Sequence, residues 1–284
     1  MNTGDYFRQV AALLSEALGS TGEGNAAARA VFEDVAGYDR NYLFMHADRE
    51  LLDETKARLE AVVRRIVAGE PVQYAVGQVR FMGMDLKVTP AVLIPRPETE
   101  GLCDMIIDDA ARRQDLCVLD IGTGSGCIAM ALARALVFPQ VTAVDVSEDA
   151  LTVARGNAAD LGVKVDFIHQ DILTAVPPHA SYDIIVSNPP YVCDSEKASM
   201  DPRVAVKEPS LALFVPDSDP LRFYRAISAY AAEALKPGGR IYFEINSRFP
   251  DEIRAMLAGY GFKNISITRD FKGNYRFARA ERPQ

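Results

Sequence analysis

Val118-Leu119-Asp120-Ile121-Gly122-Thr123-Gly124-Ser125-Gly126-Cys127 runs from an apolar strand pattern, through three glycines at alternate positions, into a helical pattern over residues 127–136. Glycine lets the backbone turn and lets a ligand approach it more closely than any residue with a Cβ. A glycine loop at the carboxyl end of a strand is also where open α/β sheets bind ligands. The spacing is GxGxG. A dinucleotide fingerprint would need a glycine where Cys127 stands, and a P-loop would need a Gly-Lys-Ser/Thr ending that is absent.

The pattern on the C-terminal side of this loop repeats the same alternation. Strand-like runs fall at 117–120, 141–145, 165–169, 184–187, 240–245, 264–268 and 275–278, and helical patterns at 127–136, 148–160, 221–235 and 252–259 separate most of them. Strand and helix in alternation imply crossover connections and a mostly parallel sheet covered on both faces. The last two runs are joined by a short loop, so the final strand is expected to return antiparallel. The fold class expected is α/β, with a Rossmann-like, seven-stranded, mostly parallel sheet.

On the N-terminal side the pattern is different. Phe7, Val10, Ala11, Leu14 and Leu18 repeat at helical spacing, as do Ala27, Val31, Phe32, Val35 and Tyr38, and then Leu51, Leu52, Thr55, Leu59, Val62, Val63, Ile66 and Val67. Breaks at 19–24 and 69–71 carry the Gly and Pro that stop helices. Residues 1–72 are therefore expected to form a helical bundle without chemistry of its own. Residues 73–90, with a turn at Met82-Gly83, read as a hairpin linker, and residues 91–284 as the sheet domain. The acidic residues after Pro97 suit the positive end of a helix reaching about Arg113.

Three carboxylates surround the glycine loop. Asp145 closes the second strand nineteen residues after Gly126, where a carboxylate can accept from both hydroxyls of a ribose. Asp120 precedes the loop, and Asp171 follows the third strand, in reach of an adenine amino group. One ligand fits all three: a nucleoside without a pyrophosphate, as in S-adenosylmethionine.

The fourth strand delivers Asn188-Pro189-Pro190-Tyr191 to the same sheet edge. Successive prolines lack N–H donors, so this stiff turn presents acceptors: the Asn188 side-chain oxygen and the Pro189 carbonyl. Two acceptors side by side suit a planar NH2 group. Holding both hydrogens aims the nitrogen lone pair at a third position, where a cofactor methyl would sit, and Tyr191 can pack on the flat face. Displacement at a sulfonium methyl has a good leaving group, so neither a metal nor a strong base is expected. The delocalised amide or amine nitrogen is a poor nucleophile, and orientation, which can contribute ~7–11 kcal/mol, must supply much of the rate.

Composition narrows the partner. The 284 residues carry 31 Lys and Arg against 39 Asp and Glu, a formal charge of −8, which disfavours a general phosphate-neutralising surface. Cys103, Cys117, Cys127 and Cys193 show no CxxC spacing, and His46, His169 and His179 are too scattered for a ligand set, so free thiols and no metal are expected. The longest nearly apolar stretch, 128–138, is too short to span a bilayer, and the first apolar run has helical period rather than the form of a signal peptide. A cytoplasmic location follows as the default expectation.

At these motifs the sequence resembles class I S-adenosylmethionine-dependent methyltransferases with Asn-Pro-Pro-Tyr, which methylate planar nitrogens in adenine, guanine or glutamine. More closely, and over nearly the whole chain, it resembles the release factor glutamine N5-methyltransferase (HemK) family. The matching segments are 80–83, Leu93-Ile94-Pro95-Arg96-Pro97-Glu98-Thr99-Glu100, 120–126, 187–191, Glu208-Pro209-Ser210-Leu211-Ala212-Leu213 and Asp270-Phe271-Lys272-Gly273-Asn274-Tyr275-Arg276. The resemblance implies methylation of the glutamine in the Gly-Gly-Gln motif of peptide chain release factors. It further implies that Gly122, Thr123, Gly124, Ser125, Gly126, Asp145 and Asn188 contact the cofactor, that Asn188, Pro189, Pro190 and Tyr191 hold the glutamine, and that the N-terminal helices help dock the release factor. Phe81 is expected either as a wall of the glutamine pocket or as a core aromatic of the linker.

Two departures from the family pattern stand out. Ile172 follows Asp171 where many members have an aromatic, so aliphatic packing replaces stacking on adenine. Glu244-Ile245-Asn246 ends the fifth strand where glycine is common third, leaving Asn246 without an assigned role. The competing reading is an RNA or DNA amino-methyltransferase acting on a flipped base. It shares the Asn-Pro-Pro-Tyr motif but calls for a basic or aromatic-rich target surface, whereas this chain is acidic and has no Trp. A cofactor-binding regulator would not need the motif at all.

Overall fold

Asn2 accepts a hydrogen bond from the Asp5 N–H through its side chain and so starts α1 (Thr3–Leu18); Gly19, at φ 71°, ends it. Ser20 caps α2 (Thr21–Ala36) in the same way through Glu23 N–H, and α3 (Arg40–Met45), α4 (Asp53–Val67) and α5 (Val72–Val76) follow. The apolar stripes read from the sequence meet here. Val10 and Leu14 of α1 pack with Ala28, Val31 and Phe32 of α2 and with Leu59, Val63 and Ile66 of α4. Burying each such large side chain contributes about 1.5–3 kcal/mol. The computed structural model describes residues 1–284 and resolves into two units: residues 1–78 with 201–207, and residues 79–200 with 208–284.

β1 (Gln78–Phe81) and β2 (Met84–Lys87) pair across Met82 and Gly83, whose φ values of 47° and 72° give the turn its left-handed form. The main sheet is laid down by α6 (Pro97–Ala110), β3 (Cys117–Ile121), α7 (Cys127–Ala135), β4 (Gln140–Asp145), α8 (Glu148–Leu161), β5 (Asp166–His169) and β6 (Tyr182–Ser187). A tract of short elements follows: β7 (Val192–Cys193), a 3-10 turn over Asp194–Ser199, α9 (Pro202–Lys207), α10 (Ser210–Leu213) and β8 (Phe214–Val215). Of these, α9 belongs to the first unit, where Arg203 lies 3.6 Å from Glu23. The chain ends with α11 (Arg222–Ala234), β9 (Leu235–Glu244), α12 (Pro250–Gly259), β10 (Lys263–Arg269) and β11 (Tyr275–Glu281).

The seven-stranded sheet has the order β10-β11-β9-β6-β3-β4-β5. β5, β4, β3, β6 and β9 are mutually parallel, and β11 runs antiparallel between β9 and β10, as the short final loop requires. Both faces are covered. Val118, Val141, Ile184 and Val186 pack under α6 and α7, while Leu119, Ile121, Ile185 and Ile241 pack under α11 and α12. Burial on two sides explains why the strands read as continuous apolar runs rather than alternating ones. The sheet order reverses direction between β3 and β6, so the carboxyl ends of these two strands border the crevice where such sheets take ligands.

Candidate active site

The backbone of the glycine loop is pinned to the neighbouring strand. Gly122 N–H and Thr123 N–H both donate to the Val144 carbonyl, at 2.9 and 3.1 Å. Gly126 closes the turn at φ 83°, and a Cβ there would meet Met130 Cε at 3.0 Å and Ala154 Cβ at 3.2 Å. Conformation and packing therefore both demand glycine. At Gly122 and Gly124 a Cβ would meet no atom within 4 Å, and both residues line a cleft of about 890 Å³. Asn157, buried in α8, donates to Ser125 O and Lys87 O at 3.0 Å and so ties the loop to β2.

Asp120 lies behind the loop rather than in the cleft. Its Oδ2 accepts from the Thr123 hydroxyl at 2.6 Å and from Ala129 N–H at 3.2 Å, and its Oδ1 is buried without a partner. Burial pushes this carboxyl up to about 7, against the opposing pull of those two donors. The unfolded chain releases the same proton near the ordinary value of 3.8. Between these values the folded state holds the extra proton, so this group makes stability fall as pH rises from about 4 to about 7, and its effect levels off above. Asp120→Asn, which mimics the protonated acid, is expected to remove that decline and to be the more stable protein at pH 8 by a few kcal/mol. Urea unfolding at pH 5 and pH 8 measures this; an unchanged difference between the two pH values would refute it.

Asp145 sits at the end of β4 with Oδ2 accepting from Gly124 N–H and Oδ1 from Ser147 N–H, each at 2.9 Å. Each oxygen keeps a second lone pair for a ligand hydroxyl. Burial raises its pKa, against the lowering effect of the Ser147 and Gly124 donors. Across the cleft lie Gln170, Asp171 and Ile172, with Ala91, Val92, Leu93, Leu211 and Phe223 forming other walls. Glu208, buried, holds two of the lining segments together: it accepts from Ile94 N–H at 3.1 Å and pairs with Arg96. Gly122 and Gly124 with room beside them, a carboxylate opposite and apolar walls fit the ribose, adenine and thioether portions of S-adenosylmethionine.

Asn188, Pro189 and Pro190 line the same cleft from the end of β6. Asn188 Nδ2 lies 3.4 Å from Thr99 Oγ1, and that hydroxyl donates to Glu244 Oε2 at 2.7 Å. Tyr191 donates to Glu244 Oε1 at 3.1 Å and accepts from Arg276 Nη1 at 3.2 Å. Burial raises the Glu244 carboxyl, opposed by the Thr99 hydroxyl and the Arg276 guanidinium. Burial and the nearby Glu244 push the Tyr191 phenol well up, so it remains a neutral hydroxyl. Asn246 now has a place: its Nδ2 donates to the Tyr191 carbonyl at 3.0 Å and to Glu196 Oε2 at 3.1 Å, fixing the far end of the Asn-Pro-Pro-Tyr turn.

Of the residues proposed from sequence, Gly122, Gly124, Asp145, Asp171, Ile172, Asn188, Pro189 and Pro190 line one cleft. Asp120, Thr123 and Ser125 are buried beneath the loop and Gly126 closes it, so these four shape the loop from behind. Tyr191 turns toward Glu244. Phe81 is 1% exposed and packs in the core with Met84, Leu86 and Leu102, not in the cleft. Thr99, Glu244, Asn157 and Asn246 were not singled out as site residues from sequence. A polar residue inside an otherwise apolar strand end, as at Glu244, was the available signal.

The seven-stranded, mostly parallel sheet, with a cleft lined by the glycine loop, Asp145 and the Asn-Pro-Pro turn, is that of a class I S-adenosylmethionine-dependent methyltransferase. Family models agree with that class: the PrmC N-terminal domain matches residues 5–77 and the methyltransferase small domain residues 103–205. The chain is 44% identical over 252 residues to the release factor glutamine methyltransferase of Bacteroides thetaiotaomicron, covering 88% of this chain and 89% of that one. It is 36% identical to the Enterococcus faecalis protein of the same name, over 94% and 96% of the two chains. The chain belongs to the release factor glutamine methyltransferase family. A methyltransferase from Pyrococcus furiosus, 19% identical with a TM-score of 0.53 over 72% of this chain and 91% of that one, shares the fold.

Proposed function

We propose that this enzyme transfers the methyl group of S-adenosylmethionine to the side-chain amide nitrogen of the glutamine in the Gly-Gly-Gln motif of peptide chain release factors. The observation that carries this reading is the position of Asn188 and Pro189 on the wall of the cleft that Gly122, Gly124 and Asp145 also line. The substrate class is that of the release factor glutamine methyltransferases to which the chain is similar. When bound, S-adenosylmethionine would supply the methyl from its sulfonium: the S–CH3 bond breaks as the N–CH3 bond forms, the sulfur leaves as a neutral thioether, and the methylated nitrogen gives up one N–H proton to water. Gly122, Gly124 and Asp145 would hold the cofactor by backbone and carboxylate, and Ile172 would supply aliphatic contact for the base. Asn188 Oδ1 and the Pro189 carbonyl accept the two N–H bonds of the glutamine amide and aim its lone pair at the methyl. These acceptors bind more tightly as the nitrogen becomes positive, which stabilises the transition state in particular. Pro189 and Pro190 keep the acceptors in place without a donor that would compete for them.

Residues 1–72 are proposed to dock the release factor, a role suited to the exposed apolar side chains Phe44, Met45 and Leu52. The reading places the reaction in the cytoplasm with its protein substrate; no helix is long and apolar enough to cross a membrane. In this scheme Gly122, Gly124, Asp145, Asp171, Ile172, Asn188, Pro189 and Pro190 keep the roles expected from sequence, whereas Asp120, Thr123, Ser125 and Gly126 shape the loop, Tyr191 pairs with Glu244 and Phe81 contributes core packing. Incubation with methyl-labelled S-adenosylmethionine is expected to label release factor on the Gly-Gly-Gln peptide, and replacement of that glutamine should abolish the label. Labelling confined to RNA or DNA would reject the protein substrate.

A further inference from the structure

Asn188 can accept from a substrate amide only if its own amide faces the right way, and the shape of an asparagine does not decide that, because Oδ1 and Nδ2 are nearly the same size. The surrounding donors decide it. Arg276 can only donate, and its Nη1 meets the Tyr191 hydroxyl at 3.2 Å. Tyr191 therefore accepts there and gives its own proton to Glu244 Oε1. Arg276 Nη1 also stands 4.0 Å from that oxygen, so Glu244 faces two hydroxyl donors and a guanidinium, the surroundings of an ionised acceptor. The Thr99 hydroxyl has one proton, and the 2.7 Å contact to Glu244 Oε2 commits it. Thr99 Oγ1 can then offer Asn188 only a lone pair. The group that faces it must be the NH2, which leaves Oδ1 as the edge available to a substrate.

We propose that Thr99 and Glu244 are positioning residues that lock the Asn188 side-chain amide with its oxygen toward the substrate amide and its nitrogen toward Thr99. This rests on the reading of the site as one that grips a glutamine side chain. A flipped Asn188 would present N–H groups to the N–H groups of the substrate, and binding in the reactive orientation would be lost. The lock is supplied from outside the catalytic turn: Thr99 lies in the first turn of α6 and Glu244 at the end of β9, and both are buried. Neither touches the reacting atoms, so their influence on the methyl transfer passes through Asn188.

The test is Thr99→Val, which keeps the branched shape and removes the hydroxyl. The expected result is a kcat for release factor methylation reduced on the order of 10²-fold, the cost of a misplaced reacting group. Affinity for S-adenosylmethionine should stay within about twofold, and Thr99→Ser should restore kcat to within about threefold, because it returns the hydrogen-bonding group. A Thr99→Val enzyme that keeps its kcat, a Thr99→Ser enzyme that does not recover it, or parallel loss of cofactor affinity would each overturn the lock. A second measurement needs no turnover and does not depend on any Thr99 variant. In wild-type enzyme labelled with ¹⁵N-asparagine, the Asn188 side-chain NH2 signal, assigned by its loss in Asn188→Asp, should show a nuclear Overhauser contact to the Thr99 methyl; absence of that contact refutes the proposed orientation. If wild-type enzyme methylates no release factor, the substrate reading fails, while the NH2 contact still decides the lock.

Discussion

Asn188→Ala is expected to reduce kcat for release factor methylation by about 10²- to 10³-fold, the effect of deleting one fixed polar partner of the transition state, ~2.7–4 kcal/mol. The reason is geometric as well as electrostatic. On the proposed reading Asn188 Oδ1 and the Pro189 carbonyl act as a pair, and removing one would let the substrate amide rotate about the hydrogen bond that is left. The lone pair then points at the methyl for only a fraction of the time. Asn188 also borders the cofactor, yet a single neutral hydrogen bond contributes only ~0.5–1.5 kcal/mol, so S-adenosylmethionine affinity should fall by no more than about tenfold. Single-turnover kinetics with calorimetric binding separates the two quantities. Unchanged turnover would remove Asn188 from the chemistry, and a loss of affinity as large as the loss of rate would make it a cofactor ligand only.

Asp145→Asn should produce the opposite split. Both Asp145 oxygens already accept a backbone N–H, from Gly124 and from Ser147, and each has a lone pair left for a ribose hydroxyl. An amide replaces one oxygen with an NH2 that must face one of those N–H donors, so the loop is pushed away from its position at the same time as an acceptor is lost. Hydrogen bonds to a charged group are worth ~1.5–3 kcal/mol each, and the combined loss of about 2–4 kcal/mol corresponds to a roughly 30- to 1000-fold weaker Kd for S-adenosylmethionine. At saturating cofactor kcat should recover most of its value, because Asp145 does not contact the acceptor nitrogen. Titration calorimetry checks the first statement and saturation kinetics the second. A Kd that stays within a factor of about three would show that the ribose is held elsewhere.

These two substitutions also show how the site is divided. In the proposed scheme cofactor recognition falls to residues on β3, β4 and the segment after β5, and the acceptor amide to those at the end of β6, all of which line one cleft. Around the second region lies a band of polar residues: Thr99, Glu244 and Asn246, all buried, with the half-buried Glu196 and Arg276 beside them. Inside a protein such a network is stiff when all its members are satisfied. Here it holds the Asn-Pro-Pro-Tyr turn at its Asn188 side chain, at its Tyr191 side chain and at its Tyr191 carbonyl. For a reaction that depends on aiming a weak nucleophile, a rigid mount is the contribution the protein must make.

The parts of this enzyme that read directly from the chain are those whose physics is local. The strand–glycine loop–helix at 117–136 is one continuous stretch, and its glycines stand where the loop opens to a ligand or where packing leaves no room for a Cβ. Alternation of apolar runs with helical periods dictates a parallel sheet, and two successive prolines at 189 and 190 dictate a stiff turn that offers acceptors wherever it is placed. Periodicity gives each residue a face but does not say which faces meet, and that is where tertiary structure decides. Asn188 and Thr99 are 89 residues apart, and Thr99 and Glu244 are 145 apart, yet their side chains form one relay. Phe81 has the same composition-level signature as a pocket wall and as a core residue, and only packing against Leu86 and Leu102 assigns it to the core. Asp120 and Asp145 flank the same glycine loop with the same side chain; one is buried with an unpartnered oxygen and shapes the loop, the other faces the cleft. Identical chemistry takes different roles because burial and hydrogen-bond partners are set by segments that meet only when the sheet has closed around them.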